Sequence, residues 1–272
     1  MWSSESVARG PAASGAGGVD ASGLRLALFS GNYNYTRDGA NQALNRLVRH
    51  LESRGAVCRV YSPTTGTPAF EPAGTLVSAP SVAVPGRPEY RAALGLSRAL
   101  RRDIAAFRPN LIHISAPDAL NVGAQKLGRK LGVPVVASMH TRFETYLDYY
   151  GLGFLRPAAE RYLNRFYSGC DPILAPSAAM AATLAPDLKD RVRMWGRGVD
   201  RRQFSPAHRD DAWRRAQGFG PDDMVVAFLG RLVMEKGLDV LASTFALLKA
   251  REPGVEALII GQGPAGGRLK ER

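Results

Sequence analysis

Arg231 and Lys236 are the residues of this 272-residue chain whose type and spacing point most directly to chemistry. They lie between the apolar run Val225-Val226-Ala227-Phe228-Leu229 and a stretch from Leu238 to Ala250. The run is short and bounded by Pro221 and Gly230, which predicts a strand buried on both faces. The stretch carries Leu238, Leu241, Phe245 and Leu248 at helical spacing. Two cations therefore occupy a strand-to-helix crossover. A helix N-terminus is partly positive, so a cation there costs a few tenths to ~1 kcal/mol unless something offsets it. A bound phosphate would offset it and would also take the free N–H groups of the first turn. The alternative is a pair of solvated cations partnered by Glu235.

His140 follows directly on a strand predicted around Val135 to Met139. In an open parallel sheet, ligands bind just outside the carboxyl ends of the strands. An imidazole there titrates near ~6.5 and can donate or accept a hydrogen bond. The polar loop from Gly31 to Gly39, after a strand at Leu24 to Ser30, holds the same position one β-α-β unit earlier. His113 lies inside a predicted strand, Asn110 to Ser115, and reads as a satisfied sheet histidine.

From Arg142 to Tyr167 the chain gathers eight of its 22 aromatic residues, interleaved with Arg142, Arg156, Arg161 and Arg165. Such a surface suits sugar stacking or a membrane interface, where each basic residue contributes ~1 kcal/mol near anionic lipid. The competing reading is a lid and helix that turn their aromatics inward. Arg142, Phe143, Glu144 and Tyr146 are the acceptor or interface candidates, with nothing to mark Glu144 or Asp148 as a base.

The segment Gly230-Arg231-Leu232-Val233 with Glu235-Lys236-Gly237 resembles the donor-phosphate signature of retaining glycosyltransferases of family 4. His140-Thr141-Arg142-Phe143 resembles the histidine-bearing loop of lipid- and polysaccharide-directed members. The resemblance runs from about Leu24 to Arg272. It implies an α/β chain with two Rossmann-like domains, the GT-B fold, and transfer of a hexose such as mannose or glucose to a lipid or saccharide hydroxyl. The donor would be a UDP- or GDP-sugar. Arg231 and Lys236 would hold its diphosphate and neutralise charge on the departing group. His140 would orient the transferred sugar. Gly39, Gly230 and Gly263 would join the donor site, Gly39 by close backbone approach to phosphate and Gly263 within a Gly-x-Gly-Pro turn that resembles the family's tight turn after a strand, although Asp38-Gly39-Ala40 stands where the family has adjacent glycines. No metal-ligand spacing is visible, so neither metal nor cofactor is expected.

The resemblance and the composition together predict residues 1–23 as a disordered tail, 24–196 as an acceptor-side domain and 197–224 as a linker. Residues 225–272 would begin a nucleotide-sugar domain that stops incomplete, with apolar surface left uncovered and turnover in doubt. The remaining elements read as strands at Ala56 to Tyr61, Thr75 to Ser78 and Ser81 to Val84, then a basic helix from Glu89 to Phe107. A formal charge of +12 suits anionic partners, but Arg outnumbers Lys 30 to 6, as coding bias alone would produce. No nucleic-acid module organises the charge, and nucleic acid ranks last among partners. No apolar run reaches the ~18 residues of a membrane span. Neither a secretory signal nor a disulfide framework appears, so a cytoplasmic chain touching the inner face of an anionic membrane is expected. Two alternatives remain open. One is a noncatalytic nucleotide- or membrane-binding module. The other is an NAD-dependent oxidoreductase, suggested by Gly261-x-Gly263-x-x-Gly266, where Pro264 and the missing acidic residue weaken the dinucleotide fingerprint.

Overall fold

The computed structural model describes residues 19–85, 87–149, 151–196, 198–233, 236–263 and 265–267. Most of the predicted N-terminal tail, and the Glu235 partnership, lie outside them. In chain order the elements begin with β1 (Arg25–Phe29), α1 (Gly39–Glu52), β2 (Val57–Ser62), β3 (Thr75–Ser78), β4 (Ser81–Val84) and β5 (Arg87–Ala93). They continue with α2 (Arg98–Phe107), β6 (Leu111–Ile114), α3 (Ala119–Leu131), β7 (Val135–Ser138), α4 (Phe143–Tyr149) and α5 (Arg156–Tyr167). The last are β8 (Ile173–Ala175), α6 (Ala178–Ala181), β9 (Val192–Met194), α7 (Asp211–Ala216), β10 (Met224–Leu229), α8 (Leu238–Arg251) and β11 (Val255–Ile260).

The chain divides into two compact units. One runs to His140 and resumes at Leu163–Gly196; the other comprises Thr141–Tyr162 and Arg197–Arg272. The first is built on a parallel sheet of seven strands in the order β3-β2-β1-β6-β7-β8-β9. Alternation along β1 explains its two-sided core. Leu26 and Leu28 face Leu44 and Val48 of α1, while Ala27 and Phe29 face a cluster with Leu100 and Ile104 of α2 and Leu120 and Ala124 of α3. Helices thus cover both faces, as buried parallel strands require. The strand order reverses between β1 and β6, which makes their carboxyl ends the topological switch point.

The predicted helix from Glu89 to Phe107 is corrected. Its first part is β5, antiparallel to β4, and only Arg98–Phe107 is helical. The Glu, Arg and Ala residues of this stretch favour a helix, but cross-strand pairing overrides that preference. Arg91, expected on a solvated helix face, donates from Nε to Ser81 Oγ at 2.8 Å and from Nη2 to the Ser81 carbonyl at 3.0 Å. Gly95, at φ +92°, turns the chain before Ser97 caps α2.

In the second unit β10 and β11 pair in parallel, from Met224 opposite Val255 to Leu229 opposite Ile260, with α8 as their crossover. The expectation that β10 is buried on both faces is also corrected, since Leu229 is 72% exposed. Val240 and Leu247 of α8 are exposed as well. No helix among the described residues is long and apolar enough to cross a membrane.

Candidate functional site

At the switch point, Asp38 sets the start of α1. Its Oδ1 accepts from the Ala40 and Asn41 N–H groups at 2.9 Å each, and Asn41 Oδ1 accepts in return from the Asp38 N–H. This capping box fills first-turn donors with a carboxylate, so Gly39, exposed at the first helical position, sits at an end already served by an anion. The loop before it is less polar in effect than its composition suggests, because Tyr33, Asn34 and Tyr35 are buried.

Asp118, the N-cap of α3, reaches the same edge from β6. A Cβ on Gly31 would lie 2.7 Å from Asp118 Oδ2, so glycine is what lets the carboxyl group close in behind β1. Burial raises the Asp118 pKa, and hydrogen bonds from Asn121 pull it back. Asn32 Nδ2 donates to Asp38 Oδ2 at 2.9 Å, while its Oδ1 is buried with no hydrogen-bond partner among the described residues. Neither Asp118 nor Asn32 was legible as a site residue; Gly31 directly after an apolar run was the available signal.

His140 belongs to this unit. Strand periodicity puts Ser138 and His140 on one side of β7, facing His113 of β6. Ser138 Oγ lies 2.9 Å from His113 Nε2 and 2.8 Å from His140 Nε2. The Trp195 ring stands edge-on to both imidazoles, 6.3 Å from His113 and 5.8 Å from His140 between centroids. Burial lowers the His113 pKa to about 4, so this ring stays neutral, as a satisfied sheet histidine should. The two cysteines are buried free thiols, Cys58 pushed up to about 12 and Cys170 to about 11 by desolvation.

The other candidates fall in the second unit. Lys236 is exposed, Arg231 half-buried, and Gly237 caps α8 at φ +66° with no side-chain hydrogen bond to the first turn. The contrast with α1 is direct: one N-terminus already holds a carboxylate against its N–H groups, and the other has no such cap. Asp239 in the first turn of α8 adds a negative charge that offsets part of the local positive field. Gly230 and Gly263 belong to two neighbouring crossovers. Gly230 N–H donates to the Ile260 carbonyl at 3.0 Å, Leu232 N–H to Gln262 at 2.9 Å, and Ala265 N–H to Leu232 at 3.0 Å. Gly261 and Gly263 thus serve backbone packing, which accounts for the spaced glycines without a dinucleotide.

In the aromatic segment Arg142 Nε donates to Glu144 Oε1 at 2.7 Å, and Glu144 is only 6% exposed. Phe143 meets Tyr146 edge to face with centroids 6.4 Å apart. Arg156 pairs with Asp148 at 3.2 Å and Glu160 at 3.0 Å, bracing the turn between α4 and α5. At that turn Phe154 is 76% exposed beside exposed Leu152 and Leu155, whereas Phe166 and Tyr167 are buried. The segment turns some of its aromatics inward and some outward.

A doubly wound parallel sheet, followed by a β-α-β unit with a basic crossover, defines an α/β chain of GT-B type. Known proteins agree. The family model described as Glycosyltransferase Family 4 matches residues 37–203, and that described as Glycosyl transferases group 1 matches residues 209–272. The chain belongs to glycosyltransferase family 4. A GDP-mannose-dependent alpha-mannosyltransferase from Mycolicibacterium smegmatis is 32% identical over 248 residues, 88% of this chain and 64% of that protein. An alpha-monoglucosyldiacylglycerol synthase from Streptococcus pneumoniae is 26% identical over 259 residues, 92% of this chain and 58% of its own length. Sucrose-phosphate synthase from Thermosynechococcus elongatus superposes with a TM-score of 0.66 at 16% identity, over 90% of this chain and 65% of that one, a likeness of fold. The chain spans less than two thirds of the length of these relatives.

Proposed function

We propose that this chain acts as a retaining glycosyltransferase, moving a hexose such as mannose or glucose from a nucleotide diphosphate sugar to a hydroxyl of a lipid or saccharide. The observation that carries the proposal is the α8 N-terminus. It follows Arg231 and Lys236 in one crossover and lacks the side-chain cap that α1 possesses. A diphosphate there gains two cationic side chains and first-turn N–H groups together. As the glycosyl bond breaks, negative charge grows on the leaving diphosphate, and the same groups stabilise it without reorganising. His140 orients the transferred sugar from the sheet edge. Gly39 and Gly230 give the donor close backbone approach; Gly263 acts by holding the Gly230–Leu232 crossover in place. No metal takes part in this scheme.

Residues 24–196 serve as the acceptor side and 225–272 as the start of the donor side, joined through 197–224. The names of the two relatives support a nucleotide-sugar donor and a lipid or saccharide acceptor. For a lipid acceptor, exposed Phe154 with Leu152 and Leu155, near Arg142, Arg156 and Arg161, supports peripheral contact with an anionic membrane on its cytoplasmic face. Titration with UDP and GDP, beside sedimentation with anionic liposomes, tests the proposal. Saturable nucleotide binding supports it; lipid binding without nucleotide binding would instead make the chain a noncatalytic membrane module.

A further inference from the structure

Three helix-to-strand connections meet at the amino ends of β7, β8 and β9, the edge of the first unit's sheet opposite the one that His140 follows. They border a cavity of about 490 Å³. Arg129, in the last turn of α3, and Arg191, directly before β9, both line it. Gly169 makes room for the first, since a Cβ there would lie 2.8 Å from Arg129 Nη2. The second is anchored, its Nη1 donating to the Ser168 carbonyl at 3.0 Å. A guanidinium carries five N–H donors, so one such bond leaves others for a ligand. Both cations bear on the same atom: each lowers the pKa of the Cys170 thiol, against the larger upward push of desolvation. The backbone of the turn is already spent. The N–H groups of Ser168, Gly169, Cys170 and Asp171 donate to the carbonyls of Asn164, Phe166, Tyr167 and Val135. Recognition in this cavity therefore falls to its side chains.

We infer that this cavity is a ligand site for a small organic phosphate, separate from the diphosphate site proposed in the α8 crossover and independent of it. Two guanidinium forks suit one dianionic head group, whose three oxygens can each accept a charge-assisted hydrogen bond. Asp171 is the carboxylate of the lining, and an ionised carboxylate only accepts, so it asks for a ligand that also carries hydroxyl groups. Val133, Pro134 and Val135 supply an apolar wall for a carbon skeleton. The volume falls within the ~300–1,000 Å³ of small-molecule pockets, more than a bare phosphate ion needs. A phosphorylated sugar or polyol meets all of these demands at once.

The test is a nuclear magnetic resonance titration of the 272-residue chain with ribose 5-phosphate, inorganic phosphate and ribose at constant ionic strength. The amide signals of Gly169 and Cys170 report on this cavity. The expected result is a saturable shift of both signals with ribose 5-phosphate, weaker binding of phosphate and none of ribose. Arg129→Gln should weaken ribose 5-phosphate roughly tenfold or more, and adding Arg191→Gln should weaken it further. Both side chains are exposed, so the variants should fold, and their unfolding curves check that they do. Arg231→Ala/Lys236→Ala should leave the response of Gly169 and Cys170 unchanged, which separates this site from the proposed donor site. No saturable shift at these two amides would overturn the inference. So would equal affinity for ribose 5-phosphate and ribose, or an unchanged affinity in the folded Arg129→Gln/Arg191→Gln variant.

Discussion

Gly263 and Leu232 approach so closely that a Cβ on the glycine would stand 2.2 Å from the Leu232 carbonyl oxygen. The atoms it would meet next, the Leu232 carbonyl carbon at 2.6 Å and nitrogen at 2.9 Å, are also backbone and cannot swing aside. The Gly230–Leu232 crossover therefore leans on the turn after β11. Gly263→Ala should force the two apart and cost roughly 1–3 kcal/mol. Urea unfolding followed through this unit checks the loss, and nucleotide affinity should fall with it.

His113 gives the chain a pH dependence with a defined sign. Its folded pKa of about 4 lies below the ordinary value of 6.5. The unfolded chain therefore binds the extra proton first, and stability rises with pH between those limits. The contribution is fully present above pH ~6.5 and is lost as pH falls toward about 4, on the order of 3 kcal/mol across the window. In unfolding titrations from pH 7 to 4.5, His113→Gln should show a shallower loss than the unaltered chain. Parallel curves would contradict this assignment.

Phe154 tests the membrane contact. It is 76% exposed, so replacing it removes little packing inside the protein. Burying a phenylalanine in an apolar phase is worth ~1.5–3 kcal/mol, so Phe154→Ser should weaken partition into anionic vesicles roughly tenfold or more. Thermal stability should stay within ~0.5 kcal/mol. Equal sedimentation with vesicles would exclude this turn from the contact.

The first unit was largely legible because its strands are short apolar runs and its helices carry apolar residues at helical spacing with capping residues before them. Asp38, Asp118 and Ser177 each cap where such a residue precedes a helical stretch. The β4–β5 hairpin was not legible, since its second strand has a helix-forming composition and depends on a partner that the local sequence does not reveal. Burial of β10 was misjudged for a related reason: apolar content measures what a strand can bury, whereas neighbouring elements decide what it does bury. At the site, His140 stands out by its place after β7. Ser138 does not, because a serine in a strand gains meaning only when the register sets it beside His113. Gly261 and Gly263 read as a weak dinucleotide pattern or a tight turn after a strand, and the facing crossover shows what that turn packs against.

The most direct test of the central claim compares GDP and UDP binding by the unaltered chain and by the Arg231→Ala/Lys236→Ala double variant, using calorimetry at low salt. Charge-assisted contacts contribute ~1.5–3 kcal/mol each, so the double variant should lose at least roughly a hundredfold in affinity for the nucleotide that binds, while its unfolding curve stays close to that of the unaltered chain. Equal affinity in the two proteins, or no binding of either nucleotide by the unaltered chain, would contradict a diphosphate site in this crossover.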